Sequence, residues 1–158
     1  MLIIKPVVCY LAGDVSSTDR WRPQILERFK GNDNIAFLSP IDGSRYNYKP
    51  AKEICSKSEV FLYADYHKID LSDIVLVFLR ACESRHSGTS AEVGYARAKG
   101  KLIIYVNAIP KMEWHFYEFI QRTADIVFDN LGEGLDFLEK YAGEMNYLPI
   151  AGDGISEN

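Results

Sequence analysis

Three unbroken apolar runs limit what this chain can fold into. They are Val7-Val8-Cys9-Tyr10-Leu11-Ala12, Ile74-Val75-Leu76-Val77-Phe78-Leu79 and Leu102-Ile103-Ile104-Tyr105-Val106, and none holds a charged residue. A strand with one wet face alternates apolar and polar side chains. A run apolar at every position is suited to a strand covered on both faces, as in a parallel sheet flanked by helices. Ile35-Ala36-Phe37-Leu38 and Asp125-Ile126-Val127-Phe128 read as two shorter strands.

Helix-length stretches separate these runs. Residues 19–29 open on Asp19-Arg20-Trp21-Arg22-Pro23, where a proline suits a first turn, and carry the stripe Trp21, Ile25, Leu26, Phe29. Residues 51–70, 111–123 and 130–142 read as further helices, and a short one follows Gly88-Thr89. Strands alternating with helices predict an α/β domain with a parallel sheet. Right-handed crossovers make it doubly wound, and five strands fit a flavodoxin-like order, 2-1-3-4-5. Residues 1–146 are expected to form this one domain. Residues 147–158 show no periodicity and are expected to be an irregular tail.

In such sheets ligands bind beyond the carboxyl ends of the strands, where the connections diverge. Residues 13–19, 39–50, 80–92 and 107–113 fall at that edge. Glu92 is the notable carboxylate there. With a helix beginning near Thr89, it would sit in the first turn, where the helix dipole favours an ionised carboxylate, and Thr89-x-x-Glu92 would form a capping box. Asp65, on the preceding helix, would approach the same crevice if that helix ends above the sheet. Pattern alone places Asp65 on a solvated face. Two carboxylates at one site can divide a glycosyl transfer: one attacks the anomeric carbon, the other handles a proton.

The rest of the sequence narrows the classes. A net charge of −4 argues against nucleic acid polymers or anionic membrane as partners. No stretch approaches the ~20 apolar residues of a membrane span. Cys9, Cys55 and Cys82 are scattered and odd in number, which suits reduced thiols in a cytoplasmic protein. Met1-Leu2-Ile3-Ile4-Lys5-Pro6 lacks the pattern of a secretory leader. His67, His86 and His115 are not spaced as metal ligands, so no metal is expected. There is no GxGxxG after the first strand, no Walker sequence and no GxSxG elbow.

Tyr10-Leu11-Ala12-Gly13, Trp21-Arg22, Asp65, Asp73-Ile74 and Ser87-Gly88-Thr89-x-x-Glu92-Val93-Gly94-Tyr95-Ala96-x-Ala98-x-Gly100-Lys101 together resemble the nucleoside 2-deoxyribosyltransferase family. The resemblance runs roughly over residues 8–106. It implies a flavodoxin-like sheet and a double displacement between nucleobases without a cofactor. In that scheme Glu92 is the nucleophile, Asp65 protonates the departing base, and Tyr10 positions the nucleophile. Substrate contacts would come from Gly13, Asp14, Trp21, His86, Ser87, Gly88 and Thr89, with Tyr46 or Tyr48 stacking on the base. Gly94, Ala96 and Ala98 would let their helix pack closely on the sheet.

Two features leave alternatives open. The family's transferases usually carry an aspartate at the position of His86, for the sugar's 5′-hydroxyl. Their hydrolase relatives, which cleave nucleoside 5′-monophosphates, carry a phosphate-binding serine there. A histidine beside Arg85 keeps both substrates in view, and a non-catalytic nucleotide-binding module on the same fold is the third reading. The family also completes its pocket with a residue of a neighbouring subunit. Asn107, Met112, Trp114 and His115 are the candidates, in an expected homo-oligomer with shared sites.

Overall fold

The computed structural model describes residues 5–13, 20–40, 57–80 and 87–145. Five parallel strands, β1 (Val7–Gly13), β2 (Ile35–Leu38), β3 (Ile74–Leu79), β4 (Leu102–Asn107) and β5 (Ile126–Phe128), lie in the order β2-β1-β3-β4-β5. That is the doubly wound order the apolar runs predict. The helices are α1 (Trp21–Arg28), α2 (Lys57–Asp70), α3 (Ser87–Ala98), α4 (Glu118–Thr123) and α5 (Leu131–Met145). A 3₁₀ helix, Lys111–Tyr117, leads into α4.

Alternation along the strands divides the core into two layers. Cys9, Leu11, Ile74 and Leu76 face Trp21, Ile25 and Phe29 of α1 and Leu135, Leu138 and Ala142 of α5. Tyr10, Ala12, Val75 and Val77 face Ile69 of α2, Val93 and Ala96 of α3, and Ile120 of α4. Each fully buried aliphatic side chain contributes about 1.5–3 kcal/mol, so the central strands β1, β3 and β4 carry most of the apolar stabilisation. Burial pushes the Cys9 thiol well above its usual range, as suits a core residue rather than a reactive one.

Two aspartates close the amino end of the sheet in the same way. Asp73 precedes β3; its N–H donates to Val8 O at 2.7 Å while its Oδ2 accepts from Val8 N at 2.9 Å. Asp125 precedes β5, and its N–H donates to Ile103 O at 2.9 Å while its Oδ2 accepts from Ile103 N at 2.8 Å. Both precede an isoleucine, so a repeated Asp-Ile sets the register where a strand enters beside its neighbour.

Several expectations change. The segment 111–123 is not one α-helix, because its first seven residues wind as 3₁₀. The last helix starts one residue later than expected, with the Asn130 Oδ1 accepting from Glu133 N at 2.9 Å as its cap, and runs on to Met145. Leu26 is exposed rather than part of the α1 stripe. Of the small residues expected to seat α3 on the sheet, only Ala96 is buried; Gly94 and Ala98 face outward, and a Cβ on Gly94 would meet nothing within 4 Å. The close helix–sheet approach lies elsewhere, at Gly134 of α5, where a Cβ would stand 2.7 Å from Val106 Cγ2. The expected tail, residues 147–158, lies outside the described residues.

Candidate active site

In the observed strand order, β1 and β3 are adjacent and their connections leave in opposite directions, so the crevice opens between their carboxyl ends. Tyr10 sits on β1 on the α2/α3 side, fully buried. Its hydroxyl donates to Glu92 Oε1 at 2.8 Å. Glu92 is 7% exposed and Asp65 6% exposed, and Arg22 on α1 is 1% exposed. These are the charged side chains buried among the described residues, and all three act on one phenol. Burial does most to raise the Tyr10 pKa. The charge of Glu92, then that of Asp65, then the hydrogen bond to Glu92 push it further, and Arg22 opposes them. Tyr10 therefore stays a protonated donor far past the usual tyrosine range. By holding Oε1 it sets the direction of the second carboxylate oxygen.

Glu92 reaches this place by a different route from the one the sequence suggests. The helix starts at Ser87, so Thr89 is its third residue and Glu92 its sixth, with no acidic residue in the first turn. The pair is not a capping box, and the dipole effect, which fades beyond the first turn, does not account for Glu92. The Tyr10 hydroxyl, rising from β1 on the same side of the sheet, holds one carboxylate oxygen. Asp65 is also misjudged by pattern: it is buried, while Ala64 beside it is exposed. The α2 face turned to the sheet thus carries a carboxylate where periodicity would put an apolar side chain.

Gly13 ends β1 at φ +138°, and a Cβ there would overlap Phe78 O of β3. Only glycine allows this approach between the two strands that flank the crevice. Trp21 is a core residue, 2% exposed, with its ring edge-on to Phe78 at 5.3 Å and the Arg22 guanidinium 4.2 Å from its centre. Asn107 ends β4, buried; its Oδ1 accepts from Ile109 N at 3.2 Å and its Nδ2 donates to Gln121 Oε1 at 3.4 Å, which shapes the turn after the strand. Thr89 is buried and Gly88 exposed in the first turn of α3, which begins with Ser87. Asp14, Tyr46, Tyr48 and His86 lie outside the described residues. The sequence pattern gives Arg22 no role of its own; its only signal is its place beside Trp21.

A buried carboxylate held by a phenol, with a second buried carboxylate whose charge reaches the same phenol, is a pair that can offer a nucleophile and a proton-handling group. Among the described residues no cluster of His, Cys, Asp and Glu could hold a metal ion, and no helix is long and apolar enough to cross a membrane.

Comparisons with known proteins bear on the family and the fold. The sequence model of a family described as nucleoside 2-deoxyribosyltransferase matches residues 9–137. No curated protein matches the sequence. Among solved structures, a conserved protein from Enterococcus faecalis V583 superposes with a TM-score of 0.62 at 16% identity, covering 89% of this chain and 99% of that one. A 2-deoxyribosyltransferase from Bacillus psychrosaccharolyticus superposes with a TM-score of 0.56 at 18% identity, covering 89% of this chain and 96% of that one. At these identities the two neighbours bear on the fold alone.

Proposed function

This chain belongs to the nucleoside 2-deoxyribosyltransferase family, and we propose that it moves a 2-deoxyribosyl group from one nucleobase to another through an ester on Glu92. The observation that carries this is the Tyr10–Glu92 hydrogen bond beside Asp65, at the ligand edge of the sheet. In the first step a Glu92 oxygen bonds to the anomeric carbon as the bond to the departing base breaks. The electron pair stays on the base nitrogen, which takes a proton from Asp65. In the second step a nitrogen of the incoming base attacks the same carbon, its proton returns to Asp65, and the ester opens to restore Glu92. The chemistry needs no cofactor, because a carboxylate nucleophile and a proton donor are sufficient.

The enzyme is proposed to work in the cytoplasm, in nucleoside salvage, as a homo-oligomer with shared sites. Met112 and Phe119 support the assembly: they stand 82% and 88% exposed in the segment that follows β4, apolar side chains of the kind that a second copy covers.

The test is to incubate a purine deoxynucleoside with a free pyrimidine base and follow exchange by chromatography, with intact-mass measurement for a deoxyribosyl adduct. Exchange lost in Glu92→Ala, with an adduct on the wild-type chain alone, is the expected result. Release of free base from a nucleoside 5′-monophosphate, with no exchange, would transfer the assignment to hydrolysis. Binding with no turnover of any kind would leave a nucleotide-binding module.

A further inference from the structure

The peptide groups of β1 alternate between its two neighbours. Val7 N donates to Asn34 O on the β2 side, and Val8 O accepts from Asp73 N on the β3 side. Odd-numbered residues of β1 thus turn their carbonyls toward β2. The pairing ends with Tyr10 opposite Leu38, where β2 stops, while β1 runs on to Gly13. Extending the register, the next donor to Leu11 O would come from position 40. That residue is Pro40, which has no N–H. Among the described residues, β2 thus offers no donor to Leu11 O or Gly13 O, a costly state for buried carbonyls unless another group supplies one.

Arg22 fills the gap. Its Nε and Nη2 donate to Leu11 O at 3.3 and 3.2 Å, and Nη2 also donates to Gly13 O at 3.2 Å. One planar fork spans two carbonyls of the same strand edge, which a single-point ammonium does poorly. On the opposite edge, Gly13 is pressed against Phe78 O. The end of β1 is therefore held from both sides, immediately after Tyr10. A neutral donor would satisfy two carbonyls at less desolvation cost than a buried guanidinium, which is several kcal/mol unless compensated. Glu92 and Asp65 are the other charged side chains buried among the described residues, and all three act on Tyr10.

We infer that Arg22 is a positioning residue for Glu92: it replaces the missing continuation of β2, fixes the end of β1, and so keeps the Tyr10 hydroxyl on the nucleophile. This rests on the transfer reading for its kinetic consequence but not for its geometry. The test is a double-mutant cycle in base exchange with wild type, Arg22→Lys, Tyr10→Phe and the double variant, together with the ¹³Cζ resonance of Tyr10. Arg22→Lys is expected to lower kcat about 10- to 100-fold at a nearly unchanged KM. The double variant should be no more than about threefold slower than Tyr10→Phe alone, since both changes loosen the same contact. In Arg22→Lys the Tyr10 resonance should move toward that of the exposed Tyr63. Multiplicative rate losses, or an unchanged kcat, overturn the inference. So does a Tyr10 resonance that stays put, whether or not the protein exchanges bases. Arg22→Gln is the second variant; if it and Arg22→Lys both fail to fold, the arginine serves stability alone and the inference falls. Wild-type protein that exchanges no base under any condition sinks the transfer reading instead, and the resonance still decides the role of Arg22.

Discussion

The Tyr10 hydroxyl and the Glu92 carboxylate, 82 residues apart in sequence, are joined by a 2.8 Å hydrogen bond in the interior of the domain. The tyrosine comes from a strand and the glutamate from a helix, so the geometry of the pair is set by how α3 lies on the sheet. Replacing the phenol by phenylalanine keeps the packing and removes the donor. Tyr10→Phe should lower the exchange rate about 10- to 100-fold and cost about 1–3 kcal/mol of stability, read from steady-state kinetics and urea unfolding. Folding raises the Tyr10 pKa above its ordinary 10.0. Its contribution is thus fully present below about pH 10 and falls as the pH rises beyond it. Wild type should lose more stability than Tyr10→Phe between pH 9 and about pH 11; equal losses would contradict the buried donor.

Two glycines should respond in opposite senses to alanine. Gly13→Ala forces a Cβ into Phe78 O at a left-handed backbone position and should destabilise by about 1–3 kcal/mol or more, with loss of activity. Gly94 lies inside α3 with open space around its Cα. Gly94→Ala should stabilise by up to about 1 kcal/mol through helix propensity. Thermal unfolding of the two variants checks both signs.

Asp125 holds the entry of β5 and gives an acid-side prediction. Partial burial opposes its ionisation, but the Ile103 N–H and then the Arg97 guanidinium outweigh this and lower its pKa below 3.8. Its stabilisation is present above that value and is lost as the pH falls through the lower folded one. Wild type should exceed Asp125→Asn in stability at neutral pH, by about 1 kcal/mol or less for so accessible a group, and the two should converge in strong acid. A constant difference down to about pH 2 would show that the charge is not what matters.

Phe119 is the most exposed large apolar side chain described. If copies of the chain meet there, Phe119→Glu should shift sedimentation toward monomer and lower exchange activity in proportion. An assembly unchanged by this substitution would place the contact elsewhere.

The sheet was legible because its signal is redundant. Each central strand is apolar at every position, so neither face had to be guessed, and the strand order followed from helix alternation. The site was legible only in part. Glu92 could be placed at the ligand edge, but its mechanism of orientation could not, because a hydrogen bond between residues so far apart leaves no local pattern. Pattern alone misjudges Asp65 for a related reason: a buried carboxylate violates the periodicity by which burial is inferred. The role of Arg22 depends on Pro40 standing where β2, if it ran on, would offer Leu11 O a donor, a relation between two segments that neither carries alone. Gly94 and Ala98 show the reverse error, in which smallness was taken for closeness.

The position of β1 also bears on how the protein is made. It lies between β2 and β3 and emerges from the ribosome before either exists, with β3 much the later of the two. Val8 and the Asp73 that clasps it are 65 residues apart. During that interval an apolar strand can pair with β2 on one side only, and β2 leaves the Leu11 and Gly13 carbonyls unmatched. Arg22, made only nine residues after Gly13, closes that edge early. The nascent chain thus covers part of one edge of this apolar strand with a residue of its own next helix, well before β3 arrives to pair with the other.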